Sequence, residues 1–226
     1  MAPMASTNLV IVGTRSRPDN AVRAFKALKE VSEISDFVMI INEDQVDLYP
    51  QIEGVTTEVV ANDLGCNGKG NAVVHKYWDK YKTISGIDDD TIVQTQGWDK
   101  ILYQPIKDIG YGVSYGNDGI QGEILPTKVT ISTNIVKALG FWAPPTLFHS
   151  FADDFWKKMG QTIGSLHYFA DVNLEHLHWS NQKSQYDETY KSNTPELVAS
   201  DSRAYSDYIN TQFDLDMARL KESLGI

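Results

Sequence analysis

The stretch KTISGIDDDTIVQTQGW, Lys82 to Trp98, decides how this chain is read. Its first half is short, apolar and β-branched, as a buried strand should be. That strand delivers three adjacent carboxylates, Asp88, Asp89 and Asp90. Adjacent carboxylates repel, so a folded protein usually keeps such a run for a cation or for proton transfer. A solvated acidic turn is the ordinary alternative. Here the run ends a predicted strand near mid-chain, where open α/β sheets place their ligand crevice. The position favours a site for a metal and a diphosphate.

Working outward, LVIV (Leu9 to Val12) and FVMII (Phe37 to Ile41) are continuous apolar runs, expected of strands buried on both faces. Between them Pro18 and Asp19 mark a helix start, and Ala21, Phe25 and Leu28, flanked by Val22, recur at helical spacing. This β-α-β opening implies a parallel pair. TTEVVA (Thr56 to Ala61) reads as a third strand, which makes KTISGI the fourth. Val74, Tyr77, Trp78 and Tyr81 predict a helix after the glycines of GCNGKGN (Gly65 to Asn71), with its aromatics in the core. Downstream, YGVSY and KVTIS read as strands. NIVKALG and FADDFWKKMG read as helices, each closed by its glycine. DVNLEHLHW (Asp171 to Trp179) alternates as a strand, with Glu175 opposite His176 and His178. From about Pro195 the pattern is helical and acidic. The expected organisation is one α/β domain over residues 1–194, with a helical appendage over 195–226 packed on it.

Composition narrows the classes. The 226 residues are 42% hydrophobic and 11% aromatic, enough for a real core. Lys+Arg 20 against Asp+Glu 30 gives a net charge of −10, which argues against affinity built on a nucleic-acid backbone. MAPMASTN lacks a basic start and an apolar stretch, and no apolar run approaches the ~20 residues that span a bilayer. A cytoplasmic protein without a membrane partner is expected. Cys66 is the single cysteine, so neither an intrachain disulfide nor a cysteine-based zinc site is expected.

Four further stretches can carry chemistry. In GTRSRPDN (Gly13 to Asn20), directly after the first strand, Arg15 and Arg17 can hold phosphate or a nucleobase. In GCNGKGN, glycines around Lys69 can admit an anion to backbone N–H groups, although the spacing is neither a P-loop nor a dinucleotide fingerprint. In FADDFW, Asp153 or Asp154 can deprotonate an acceptor hydroxyl, but neighbouring helical positions diverge by about 100°, so at most one should face a given pocket. Helix N-terminal acids complementing the macrodipole are the alternative. In EHLH, His176 or His178 can add a nitrogen ligand to a cation held by the carboxylates. His75 and His167 are expected to be structural, and His149 is a weaker pocket candidate.

Taken in order, these pieces resemble a glycosyltransferase of the GT-A fold, a nucleotide-binding α/β sheet with an Asp-x-Asp metal motif at mid-domain. VGTRSRPDNAVRAFKAL resembles its opening strand, loop and helix, and IDDDTIVQTQGWD its metal-motif segment. The stretch from GNDGIQGEILP (Gly116 to Pro126) to VNLEHLHW resembles small glycosyltransferase-like proteins of phages and actinobacteria. The resemblance covers roughly residues 8 to 190. It implies Mn2+ or Mg2+ and a nucleotide-sugar donor, a UDP-sugar first. Thr14, Arg15 and Arg17 would line the nucleotide pocket, Asp44 would contact base or ribose, and Lys69 would approach the diphosphate. Asp88 and Asp90 fit Asp-x-Asp; an alternative register uses Asp89 and Asp90 with Thr91. His176 or His178 would complete the metal site, and Asp153 or Asp154 would be the base of an inverting reaction. Lys183 and Tyr190 would close over the diphosphate, and GNDGIQGEILP would form an acceptor wall or a lid. The implied acceptor is a hydroxyl of a hydroxymethylated DNA base, a glycan or a small molecule. The net charge sits uneasily with duplex DNA.

IDDDTIV also fits a phosphohydrolase of the haloacid-dehalogenase type, with Asp88 as nucleophile and Asp90 as acid/base. That motif normally ends a first strand, whereas three strands precede it here, and the arginine loop and histidines would be idle. A non-catalytic nucleotide-sugar-binding module is the remaining alternative.

Overall fold

The computed structural model describes residues 6–226; Met1 to Ala5, the start of the stretch read for a leader, lie outside the described residues. The N-terminal half alternates as anticipated: β1 (Asn8–Gly13), α1 (Pro18–Val31), β2 (Ser35–Asn42), β3 (Val55–Val60), α2 (Cys66–Val74) and β4 (Thr83–Gly86). After the acidic turn come β5 (Thr91–Val93), α3 (Trp98–Ile109), β6 (Val113–Asn117), β7 (Val129–Ser132), α4 (Thr133–Leu139), α5 (Ala152–Thr162) and β8 (Leu166–His176). Helices α6 (Glu188–Ser192), α7 (Pro195–Thr211) and α8 (Phe213–Leu224) complete the chain.

The eight strands form one curled sheet in the order β3-β2-β1-β4-β7-β6-β8-β5. β1 runs parallel to both β2 and β4, while β7 is antiparallel to β4 and β6. Strand alternation explains the unbroken apolar runs. Leu9 and Ile11 of β1 face a core built from α2, α4, α5 and α8, whereas Val10 and Val12 face one built from α1 and α3. Pro18 opens α1, where its missing N–H costs no helical bond, and Ala21, Phe25 and Leu28 are fully buried. The C-terminal helices lie on the first core. Met217 and Leu220 enter it, and the Arg219 guanidinium donates to the Leu139 carbonyl at the end of α4 (3.0 Å). No described helix is long and apolar enough to cross a membrane.

Three elements differ from expectation. The helix predicted over Val74 to Tyr81 lies earlier: GCNGKGN is itself helical, and residues 75–80 form turns. Tyr77, Trp78 and Tyr81 still pack on the core, because successive turns can present the same side as a helix face. α5 continues through Gly160, whose bare Cα admits Leu166 and Val113, and the chain leaves at Gly164, which has φ +68°. TIV after the aspartates is a strand of its own, β5, antiparallel to β8.

Candidate active site at the acidic turn

The three aspartates occupy the turn between β4 and β5, at the carboxyl end of the parallel strands, and each has a different environment. Asp88 is half-exposed and accepts from the Lys128 ammonium at 2.5 Å; Lys128 itself is buried. Asp89 is buried and accepts from the Thr14 hydroxyl (2.6 Å) and from Arg17 (3.3 Å), locking the first loop to the turn. Burial, opposed by Thr14 and reinforced by Asp90, pushes the Asp89 carboxyl up to about 7. Asp90 is buried too, accepting from the Tyr190 hydroxyl (2.7 Å) and Arg17 (3.3 Å). Burial would raise its carboxyl, but His176, Lys128 and Tyr190 outweigh that and hold it well below the usual range.

One strand pairing brings in the histidine. Thr91 of β5 stands opposite His176 of β8, so His176 arrives beside Asp90, with Nε2 3.1 Å from Oδ1. His176 shares the inward face of Val172 and Leu174, as alternation requires, while Glu175 points outward to Gln94 and Lys183. One ligand atom each from Asp88, Asp90 and His176 lies within 4.8 Å of the others.

Two observations test whether these residues suit a divalent cation. Asp90 Oδ1 is buried and makes no well-aligned hydrogen bond despite its closeness to His176. The cluster also carries four carboxylates, Asp88, Asp89, Asp90 and Asp187, against two permanent cations, Arg17 and Lys128. The remaining excess of negative charge favours a bound cation, and the oxygen–nitrogen donor set suits Mn2+ or Mg2+. The residues fit.

Other expected site residues fall in less direct places. His178 lies beyond the strand and caps a short 3₁₀ turn through Ser180; its ring packs on His176 and Tyr190, outside the ligand cluster. Arg17 faces the aspartates rather than open solvent. Its fork grips Asp187 at 2.7 and 2.8 Å, and it lies 4.3 Å over the Tyr190 ring. Arg15 and Asp44 pair with each other at the rim (2.9 Å), both exposed. Lys69 is buried and donates to the Thr14 carbonyl (2.8 Å), so it braces the first loop from behind. Burial lowers its ammonium. Lys183 pairs with Glu175 on the outer face of β8, away from the ligand cluster, whereas Tyr190 sits directly on Asp90. His149 is half-buried, and burial lowers its imidazole.

Two glycines of GCNGKGN, Gly65 and Gly70, are required by close packing. A Cβ on Gly70 would stand 2.7 Å from the Trp142 ring, and one on Gly65 would stand 2.1 Å from the Phe148 carbonyl oxygen. Gly70→Ala is therefore expected to cost about 1–3 kcal/mol. Gly68→Ala, which meets only the flexible Leu64 side chain, should stay within about 1 kcal/mol of wild type, because alanine favours the helix. Urea unfolding checks this, and equal losses at both positions would contradict it.

The loop GNDGIQGEILP is organised around its own aspartate. Asp118 accepts from the backbone N–H groups of Ile120, Gln121 and Gly122 and from the Thr127 hydroxyl. On α5, Asp153 and Asp154 are both half-buried in the first turn. Burial and then Asp154 push the Asp153 carboxyl up to about 6, with Lys128 opposing. Asp154 is raised by burial, with Lys157 as its opposing charge. Asp153 is thus the one of the pair that senses Lys128, the partner of Asp88.

Sequence reasoning missed Lys128, Asp187 and Tyr49, whose hydroxyl bonds Thr14 (2.9 Å) and accepts from the Arg17 N–H (3.1 Å). A lone lysine before an apolar strand or an aspartate capping a short helix has no local signature of a site.

No protein-family model matches the chain, and no curated protein sequence matches it. Solved structures do. The mannosyltransferase PcManGT from Pyrobaculum calidifontis, solved with GDP-Man and Mn2+, superposes with a TM-score of 0.60 at 10% identity, over 99% of this chain and 75% of that one. The chain has the GT-A fold. TarS of S. aureus matches at TM-score 0.56 and 13% identity over 74% of this chain, which spans only 36% of the length of TarS. Rv0371c of Mycobacterium tuberculosis, in complex with manganese, matches at 0.52 and 12%, over 79% and 96%. Within this GT-A sheet the acidic turn follows β4, next to the step where strand direction first reverses, between β4 and β7.

Proposed function

We propose that the chain is a metal-dependent glycosyltransferase that moves a sugar from a nucleotide-sugar, a UDP-sugar first, to an acceptor hydroxyl with inversion. The observation that carries the reading is the convergence of Asp88, Asp90 and His176 within 4.8 Å on a GT-A sheet. When bound, Mn2+ or Mg2+ supplies charge neutralisation at the leaving diphosphate. Arg15 and Asp44 offer a polar rim for the nucleotide, while Thr14, Arg17 and Lys69 stiffen the loop that carries it. Tyr190, whose hydroxyl sits on Asp90, flanks the diphosphate side. Asp153 takes the proton of the acceptor hydroxyl as that oxygen bonds to the anomeric carbon. The bond from that carbon to phosphate oxygen breaks, and its electron pair leaves with the nucleoside diphosphate.

The acceptor is a glycan, a small molecule or a hydroxymethylated base in DNA. The net charge of −10 and the engagement of Arg15, Arg17 and Lys128 by carboxylates favour an uncharged acceptor over a duplex.

A thermal-shift panel of UDP-, GDP- and dTDP-sugars, with and without Mn2+, tests the reading. At least one donor is expected to stabilise the chain by several degrees only when Mn2+ is present. Stabilisation by none of them, together with turnover of a phosphate monoester, would sink it. Labelled donor offered to hydroxymethylated DNA, simple sugars and cell extract then identifies the acceptor class.

A further inference from the structure

Residues 148–151 lead directly into α5, and they belong to no helix or strand. They are nevertheless held from two sides. On the α7 side, Asp201 is 2% exposed and accepts from three consecutive main-chain N–H groups: Phe148 at 2.9 Å, His149 at 2.8 Å and Ser150 at 2.7 Å. One helical turn later, Tyr205 stacks on the Phe151 ring, with centroids 5.5 Å apart and planes 17° from parallel. On the α2 side, the Asn67 N–H donates to the Phe148 carbonyl (3.3 Å), and Gly65 approaches that carbonyl too closely to carry a side chain.

Phe151 has φ +67°, a left-handed conformation that bulky residues rarely adopt, and it stands immediately before α5. The stacking on Tyr205 and the three bonds to Asp201 hold it there. A buried carboxylate is costly unless fully bonded, and this one is directed at main-chain donors of a single segment. What it secures is the direction in which α5 starts, and Asp153 lies two residues beyond Phe151.

We infer that α7 is a positioning element of the transfer site: Asp201 and Tyr205 fix the entry to α5 and so fix where Asp153 stands relative to Asp88 and Asp90. This rests on the proposed transferase reading, with Asp153 as base. Asp201 touches no reacting atom; it acts through main-chain groups.

The test uses the full chain, Mn2+ and whichever panel donor stabilises wild type most, with hydrolysis of that donor as the readout. Asp201→Asn keeps one carbonyl acceptor, and Asp201→Ala keeps none. Both are expected to lower kcat, about 10-fold for Asn and up to about 100-fold for Ala, as slight misplacement of a catalytic group does. Donor affinity by calorimetry should stay within about twofold, because the metal and nucleotide side is untouched. Hydrogen exchange at the amides of residues 148–150 should quicken in the same order. If Asp201→Ala does not fold, the asparagine variant still decides. Faster exchange with unchanged kcat per folded molecule would overturn the inference, as would kcat and donor affinity falling in parallel. A wild-type chain that binds or hydrolyses no panel donor fails at the earlier step, and overturns the transferase reading instead.

Discussion

Asp90→Asn is expected to lower Mn2+-dependent donor turnover by about 10²–10³-fold or more, the range seen when one preorganised electrostatic contact is lost from an active site. The reason is positional. Asp90 is the buried member of the ligand cluster, and its Oδ1 lies 3.1 Å from His176 Nε2 without a well-aligned hydrogen bond. Asparagine preserves the shape and can still accept from Tyr190 and Arg17, so the fold should persist. Stability should nevertheless drop at neutral pH. The native carboxyl is held below its ordinary value, so its contribution is present above the usual carboxylate range and lost as pH falls through the folded pKa. Mn2+ titration by calorimetry, turnover, and thermal unfolding at pH 7 and near pH 2 check the three parts. Unchanged metal affinity and turnover would remove Asp90 from the site.

The second large effect falls on α5. Asp153→Asn is expected to reduce transfer by about 10²–10⁴-fold, the span typical of general-base loss, whereas Asp154→Asn should cost less than about 10-fold. Burial and then Asp154 raise the Asp153 carboxyl to about 6 with Lys128 opposing, and burial and then the two aspartates raise the Tyr205 hydroxyl of α7. The base must be ionised, so the wild-type rate should climb as pH rises through about 6 and level off above it. The same raised pKa carries an opposite sign for stability. The neutral acid is favoured in the folded chain, so stability is present below the ordinary carboxylate range and lost as pH rises through about 6. Asp153→Asn should therefore raise the melting temperature at pH 8 and change it little at pH 4. Equal, small kinetic effects of the two variants would mean that the base lies elsewhere.

Much of this was legible before any coordinates. The apolar runs LVIV and FVMII and the Pro18 helix start are local signals, and they appear as β1, β2 and α1 with the anticipated faces buried. The acidic run lies at the carboxyl end of β4, and His176 faces inward because β8 alternates. The glycine-rich stretch misled, because glycine within a helix is read locally as a loop signal. Here the cause is the Trp142 ring and the Phe148 carbonyl, each remote in sequence. Lys69 too has a partner remote in sequence, a backbone carbonyl in the first loop.

The chain's letters alone settle which segments are strands buried on both faces and where the carboxylates leave the sheet, since those follow from burial and from periodicities of two and 3.6 residues. They left Asp88 and Asp89 as equal claimants for the site. Tertiary packing gives them different partners: Thr14 and Arg17 engage Asp89, while the pairing of Thr91 with His176 brings a nitrogen ligand to Asp90, with Asp88 half-exposed beside it and paired to Lys128. The contacts to Asp89 and Asp90 reach across 72 residues or more, and no local pattern encodes a partner at that distance.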